Sequence, residues 1–188
     1  MNAIKLLKAD HHTVDQLFKK YVASGTIAKK EEFAQKLIEE LSVHASIEER
    51  YVYKPASERT PVLGKQVLEN TEEHDLIKIT LLHLEGLLAL PALAERREVK
   101  LDAVLNVLAD LVRRHFEHEE QHFFPELQRV MSAAELEAIG LVLVQARTTA
   151  PRFPRLPHPV SAIARTIDRL IELAREMVGT ATGALRGI

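Results

Sequence analysis

Two short segments of this chain place a histidine and a glutamate four residues apart. His44 is followed by Glu48, and His115 is followed by Glu119. On an α-helix, residues four apart lie one above the other, so each pair points an imidazole and a carboxylate at one place. Both pairs also lie on the apolar stripe of their predicted helix, where an uncompensated carboxylate is costly to bury. A metal ion bound there would supply the compensating charge.

Two further histidines have the same character. His11 and His74 each lie in phase with the apolar residues of the predicted helix that precedes one of the pairs. The chain therefore repeats one order: a helix with a single in-phase histidine, then a helix with a histidine–glutamate pair. An up-down-up-down bundle with this repeat would bring a ligand from every helix to one core. The predicted metal ligands are His11, His44, Glu48, His74, His115 and Glu119.

This set of donors favours particular metals. Four imidazoles and two carboxylates suit two ions that each bind two histidines and share bridging glutamates, and they fit iron, manganese or zinc better than calcium or magnesium. Cysteine is absent, which excludes disulfides and thiolate ligands. Two divalent ions carry four positive charges, whereas two carboxylates supply only two negative charges. Hydroxide, oxide or a bound anion would complete the balance, which leaves a place for a diatomic ligand.

Each motif taken alone could also be structural, because an isolated core histidine is more often hydrogen-bonded than bound to metal. The complete repeat of four such histidines and two glutamates favours a metal site. Tyr51 and His122 each come seven residues after the histidine of a pair, nearly back in phase with it. Each either contacts a ligand or the metal, or only fills the end of the bundle. The other histidines are predicted to face solvent or the rim of the bundle: His12, His83 and His118.

Periodicity and capping residues predict the helices that position these groups. Thr60 with Pro61 predicts a helix start, Pro125 a kink or interruption, and Ser132 with Glu135 a capping box. The fold class is predicted to be all-α, an up-down-up-down four-helix bundle over residues 1–131 with a C-terminal helical extension, residues 132–188, packed on it. The predicted helices cover residues 3–23, 30–58, 65–90, 101–131, 132–147 and, after a proline-rich connector, 160–178.

Composition excludes several functions. The chain has 25 basic and 27 acidic residues, which is not the basic excess of a nucleic-acid-binding surface. No apolar run approaches the roughly 20 residues of a membrane span, and the N-terminal residues are too interrupted by lysine for a signal peptide. We therefore expect no nucleic-acid or membrane partner and a cytoplasmic location.

These motifs resemble the hemerythrin-like HHE cation-binding family. The resemblance covers roughly residues 1–130 and rests on Asp10–His11, the segment 44–49 (HASIEE), Glu73–His74, and the segment 115–125, which begins HFEHEE and ends FFP. It implies a four-helix bundle with a non-haem di-iron centre and bridging glutamates, and it assigns the ligand role to the same six residues. It further implies binding or sensing of oxygen, nitric oxide, peroxide or iron itself, in oxidative or nitrosative stress.

One departure from the family pattern separates the functional hypotheses. Oxygen-carrying hemerythrins have five histidines and an aspartate ligand, whereas this chain offers four clear histidines and a second glutamate, which argues against reversible oxygen carriage. The leading hypothesis is a di-iron protein that binds or senses a small oxidant or gas. The alternatives are a di-iron enzyme that turns over peroxide or nitric oxide, and a metal-free helical adaptor. The C-terminal helix could also form a homodimer contact.

Overall fold

Long helices running along one another make up this fold. The computed structural model describes residues 2–90 and 96–155, and these residues include no strand. Two five-residue π-helical turns, Glu49–Tyr53 and Glu119–Phe123, continue the second and fifth helices into short ones. The helices are α1 (Ala3–Val22), α2 (Ile27–Glu48), α3 (Lys54–Ser57), α4 (Pro61–Leu88), α5 (Arg97–His118), α6 (Phe124–Val130) and α7 (Ala133–Arg147).

The four longest helices form the bundle. Helix α1 packs on α2, α2 on α4, and α4 on α5, while α7 packs against α1 and α2. The predicted all-α four-helix bundle with an additional helix is therefore confirmed. The sixth helix predicted over residues 160–178 lies outside the described residues, and its packing and a homodimer through it stay predictions. None of the described helices has the length and apolar character needed to cross a membrane.

The two helix starts predicted from capping residues are confirmed, and α4 begins four residues before the predicted range 65–90. The side chain of Thr60 accepts a hydrogen bond from the Leu63 amide at the start of α4. Ser132 and Glu135 form the reciprocal capping box that opens α7. Each device satisfies backbone N–H groups that a helix start leaves without partners.

Each of the two π-helical turns is followed by a short helix with proline in its second position. A proline in a helix lacks the N–H donor and its ring crowds the carbonyl four residues earlier, so the α-helical pattern cannot continue through it. Instead, the amides of Lys54 and Phe124 donate to the carbonyls five residues earlier, at Glu49 and Glu119. The interruption predicted at Pro125 is thus a π turn, which moves the following residues out of α-helical phase.

Two apolar clusters lie along the bundle, and the histidines of the four long helices separate them. On α1, for example, His11 lies between Leu7 of the first cluster and Val14 of the second. The level of the four histidines therefore has packed apolar side chains on both sides along the bundle. The first cluster includes Leu7, Val43, Ile47, Phe123, Leu136 and Leu143, and the second includes Val14, Leu37, Leu41, Ile77, Leu81 and Leu108.

Candidate metal centre

All six predicted ligands meet in the middle of the bundle. Each of the four long helices contributes one histidine, and no side chain of the six is more than 4% exposed. The Nε2 atoms point inward, and those of His74 and His115 lie 2.9 Å apart. The convergence follows from the sequence repeat, because each histidine occupies the buried face at the same level of its helix.

Each glutamate lies between two histidines from different helices. The Oε2 atom of Glu48 is 3.1 Å from the Nε2 atom of His44 and 3.7 Å from that of His74. The Oε2 atom of Glu119 is 3.6 Å from Nε2 of His115 and 3.3 Å from Nε2 of His11. The two halves of the repeat therefore exchange contacts, since the glutamate of each half reaches a histidine of the other.

These atoms fit metal coordination better than hydrogen bonding. Both carboxylate oxygens of Glu48, Oε2 of Glu119, and Nε2 of His11 and His44 are buried without a hydrogen-bond partner. Two atoms each about 2.1 Å from one ion lie about 3.0 Å apart at a right angle and about 3.4 Å apart at the tetrahedral angle. The separations given above cluster around these values.

The donors form two overlapping groups, and all atoms within each group lie within 4.8 Å of one another. One contains three histidines and one glutamate, and the other contains two histidines and the second glutamate. Since His44 belongs to both groups, the site is one continuous centre with room for more than one ligand combination. The groups are His44, Glu48, His74 and His115, and His11, His44 and Glu119.

A carboxylate faces the outer ring nitrogen, Nδ1, of every one of these histidines. The distances from Nδ1 to the nearest carboxylate oxygen are 2.8 Å at His11, 3.8 Å at His44, 2.9 Å at His74 and 3.0 Å at His115. At His11, His74 and His115 the carboxylate is within hydrogen-bond distance, so Nδ1 keeps its proton and Nε2 is left free to bind a metal. At His44 the separation is too long for a direct hydrogen bond. The carboxylates are, in the order of the four distances, Glu120, Asp10, Glu49 and Glu73.

These outer carboxylates form a closed ring around the bundle. Each one is the sequence neighbour of a predicted ligand on its own helix and faces the histidine of the next helix. The ring runs from α1 to α2, from the turn after α2 to α4, from α4 to α5, and from the turn after α5 back to α1. Each long helix thus contributes one of the four histidines, and the helix or the turn after it carries the carboxylate that faces the histidine of the next helix.

Burial and mutual charge shift the pKa values of the inner groups in opposite directions. Burial and the negative charge of Glu119 raise the pKa of Glu48. Burial opposes charge on His44 as well, but Glu48 and Asp10 outweigh it and raise the pKa of His44 to about 10. Burial and the charge of His115 lower the pKa of His74 to about 4. Without a cation, protons must distribute unevenly over this cluster, and a bound metal would replace them.

The structure adds two residues that the sequence did not indicate. The Tyr53 hydroxyl donates to Oε1 of Glu119 at 2.6 Å and lies 3.4 Å from Nε2 of His74. The Asn70 amide nitrogen is 3.5 Å from the same glutamate oxygen, and its carbonyl oxygen accepts from Nδ1 of His118 at 3.0 Å. Tyr53 comes nine residues after His44, which is the opposite helix face by α-helical counting. The proline at position 55 was the available signal for the π turn that brings Tyr53 inward.

The same change of phase affects the two residues whose role the sequence left open. Tyr51 is half-buried, packs against the first apolar cluster and has the Arg50 guanidinium 5.3 Å from its ring centre. His122 is exposed, and its ring centre lies 5.4 Å from that of His118. In the described part of the chain, neither makes a hydrogen bond to any of the six predicted ligands. As predicted, His12 and His83 are exposed and His118 lies at the rim.

A helical bundle with a buried cluster of histidines and glutamates defines a class of cation-binding proteins. The family model for the hemerythrin HHE cation-binding domain matches residues 2–128. The chain therefore belongs to the hemerythrin HHE cation-binding domain family, and helix α7 lies beyond the matched residues.

Comparison with known proteins supports the fold. A search of curated proteins found no match. Among solved structures, the chain is similar to a crystal structure of a hemerythrin HHE cation-binding domain-containing protein, the Rv2633c homolog from Mycobacterium kansasii. The TM-score is 0.60 at 22% sequence identity, and the match covers 79% of this chain and 89% of that one.

Proposed function

We propose that this protein holds two non-haem iron ions and that the resulting centre binds or senses a small oxidant or gas, namely oxygen, nitric oxide or peroxide. The observation that carries the proposal is that four buried imidazoles converge at one place and that a carboxylate faces the outer nitrogen, Nδ1, of each. The proposed ligands are His11, His44, Glu48, His74, His115 and Glu119.

The arrangement of the glutamates supports two ions instead of one. Glu48 and Glu119 each lie between two histidines, as expected of carboxylates that bridge a pair of metals. Iron is favoured over manganese or zinc, because the family resemblance implies a di-iron centre and histidine–carboxylate donor sets suit non-haem iron. Bound iron would supply redox chemistry and a coordination position open to a small ligand. The residues of the chain hold the ions, fix the imidazole tautomers and keep the surroundings apolar.

A cavity beside His11 supports access by a small molecule. It lies between α1 and α5, has a volume of about 590 Å³ and is lined by Val14, Val112 and Phe116, among others. The Phe116 ring stacks on the His11 ring with centres 3.7 Å apart. His11 therefore faces the cavity on one side and Glu119 on the other, which brings the cavity within one side chain of the candidate centre.

Metal content and optical absorption test this proposal directly. We expect protein loaded with ferrous iron without oxygen to retain about two irons per chain after gel filtration. Exposure to oxygen, peroxide or nitric oxide should then produce absorption bands that chelator-treated protein lacks. A purified, iron-supplemented protein without stoichiometric metal would contradict the proposal.

Catalysis is the second candidate function, and the position of Tyr53 favours it. Burial, together with the charges of Glu119 and Glu48, raises the pKa of Tyr53 well above its ordinary value, so its hydroxyl keeps a proton beside the ligands. If the loaded protein turns over peroxide, Tyr53→Phe should lower the rate by about 10²-fold, the low end of the effect of a lost proton donor. Hydrogen peroxide consumption at equal iron content measures this.

Tyr51→Phe is the matched control, since Tyr51 lies two residues before Tyr53 in the same π turn and packs against the first apolar cluster. It should retain the wild-type rate. Equal rates for wild type and Tyr53→Phe would remove the proton-donor role. A loaded wild-type protein that consumes no peroxide would end the enzymatic alternative and leave the binding proposal intact.

A further inference from the structure

Each outer carboxylate of the candidate centre is itself paired with a basic residue. Lys78 is 2.6 Å from Glu49 and Arg147 is 2.5 Å from Asp10. The other two pairs are longer and more exposed, with Arg114 3.3 Å from Glu73 and Lys8 3.4 Å from Glu120. At each of the four histidines, the imidazole is therefore followed outward by a carboxylate and then by a basic side chain.

One of the four cations has a different origin. Lys8, Lys78 and Arg114 belong to the same helices as the histidines that their carboxylates face, namely α1, α4 and α5. Arg147 instead comes from the end of α7, outside the four-helix bundle and beyond residues 2–128 that the family model matches. The cation that pairs with Asp10, the carboxylate facing His44, therefore comes from the C-terminal extension.

The internal repeat explains why α7 must supply this charge. Arg114 immediately precedes His115, and the matching position before His44 is Val43. Val43 is 4% exposed and belongs to the same apolar cluster as Leu136 and Leu143 of α7. The position that carries Arg114 in the second half of the repeat therefore carries an apolar residue, Val43, in the first half, where it packs in the cluster shared with α7. Arg147 restores a positive charge from the helix that does the packing.

We propose that Arg147 is a positioning residue for His44 and makes α7 part of the metal centre. Its guanidinium binds both Asp10 and Glu40, two carboxylates that would otherwise repel each other in a partly buried place. This ion pair holds the Asp10 carboxylate on the Nδ1 side of His44, with the two atoms 3.8 Å apart. The Nδ1 atom is buried and has no hydrogen-bond partner, so Asp10 supplies the carboxylate that faces it. Without the arginine, Asp10 would be free to move away. His44 would then lack a carboxylate at Nδ1, which each of the other three histidines has.

The inference rests on the proposed metal-binding function, and cobalt(II) is a suitable probe because its visible absorption reports the geometry of its ligands. We expect Arg147→Gln to lower the cobalt(II) affinity about tenfold, as losses of outer partners of a metal site do, and to change the visible spectrum. Arg147→Lys, which keeps the charge, should recover part of the affinity. Arg152→Gln breaks an exposed ion pair with Glu39 of α2, away from Asp10 and His44, and should leave affinity and spectrum unchanged.

A double-mutant cycle separates positioning from a general effect on the fold. In an Asp10→Asn background, Arg147→Gln should cause no further loss of cobalt(II) affinity, because the two residues act through one path. Additive losses, or a wild-type affinity and spectrum in Arg147→Gln, would overturn the inference. If Arg147→Gln does not fold, Asp10→Asn decides, since a wild-type cobalt(II) affinity and spectrum in that variant also overturn the inference. A wild-type protein that binds no cobalt(II) would instead reject the proposed function itself.

Discussion

Replacement of His74 with alanine is expected to abolish most of the thermal stabilisation that the proposed iron centre would give to this protein. A ligand that binds only the folded state at 1,000 times its Kd contributes about 4 kcal/mol for one site. In a domain of this size that corresponds to roughly 8–16 °C in melting temperature. His74 lies within 3.7 Å of Glu48 and 2.9 Å of His115, so its loss removes a donor from the larger group.

Melting curves recorded anaerobically with and without iron measure this effect as a difference within each variant. That difference cancels any cost of the alanine cavity in the metal-free protein. His83→Ala is the matched control, because His83 lies on the same helix, α4, and is exposed. It should retain the full increase with iron. An equal increase in His74→Ala and His83→Ala would show that His74 does not bind the metal.

The sequence predicted the fold because its local and long-range signals agree. Apolar periodicity, the Thr60 cap and the Ser132 capping box each gave an element that the structure contains. The convergence of the six polar residues could also be predicted, since a residue in phase with an apolar stripe must be buried once the stripe packs. Local rules were sufficient wherever the helices keep 3.6 residues per turn.

The π turns limited what could be predicted about the surroundings of the site. Counting at 3.6 residues per turn gave Tyr51 and His122 as the next inward residues, whereas the structure turns Tyr53 and Phe123 inward. One additional residue in a helical turn rotates everything after it by about 100°. A proline follows each pair, seven residues after Glu48 and six after Glu119, and signals such a turn. The exact register of the turn depends on the packing of the two helices around it.

Non-local partners were the other part that the sequence could not supply. Asp10, Glu49, Glu73 and Glu120 are visible as acidic neighbours of the predicted ligands. Which histidine each one faces depends on the order of helices around the bundle. Contacts such as that between Arg147 and Asp10 join residues far apart in sequence, and no periodicity connects them.

The carboxylate of Glu48 gives the second large effect, which has opposite signs with and without metal. Glu48 is fully buried, and both its oxygens lack hydrogen-bond partners. Replacing such a group with an apolar side chain of similar size removes its desolvation cost, which mutational data place at about 1–3 kcal/mol. Glu48 also raises the pKa of His44, so at a pH of about 8 the buried imidazole of the variant loses its proton and leaves no unpaired charge. We therefore expect Glu48→Leu to raise the free energy of unfolding of the metal-free protein by about this amount.

With iron present, the order of stabilities should reverse. Glu48→Leu removes a ligand that lies between His44 and His74, so the variant should lose most of the iron-dependent increase that the wild type gains. Urea unfolding of both proteins, with chelator and with ferrous iron, gives all four free energies. Glu32→Leu is the control on the same helix, because Glu32 is exposed and its replacement should change stability by no more than about 0.5 kcal/mol.

This reversal distinguishes a functional carboxylate from a structural one. A glutamate that contributed to folding through its contact with His44 would make Glu48→Leu less stable under both conditions. A glutamate kept for metal binding makes the variant more stable without iron and less stable with it, because the same buried charge is a cost in one state and a ligand in the other. A loss of stability without metal, or an undiminished gain with it, would therefore contradict the assignment of Glu48 to the centre.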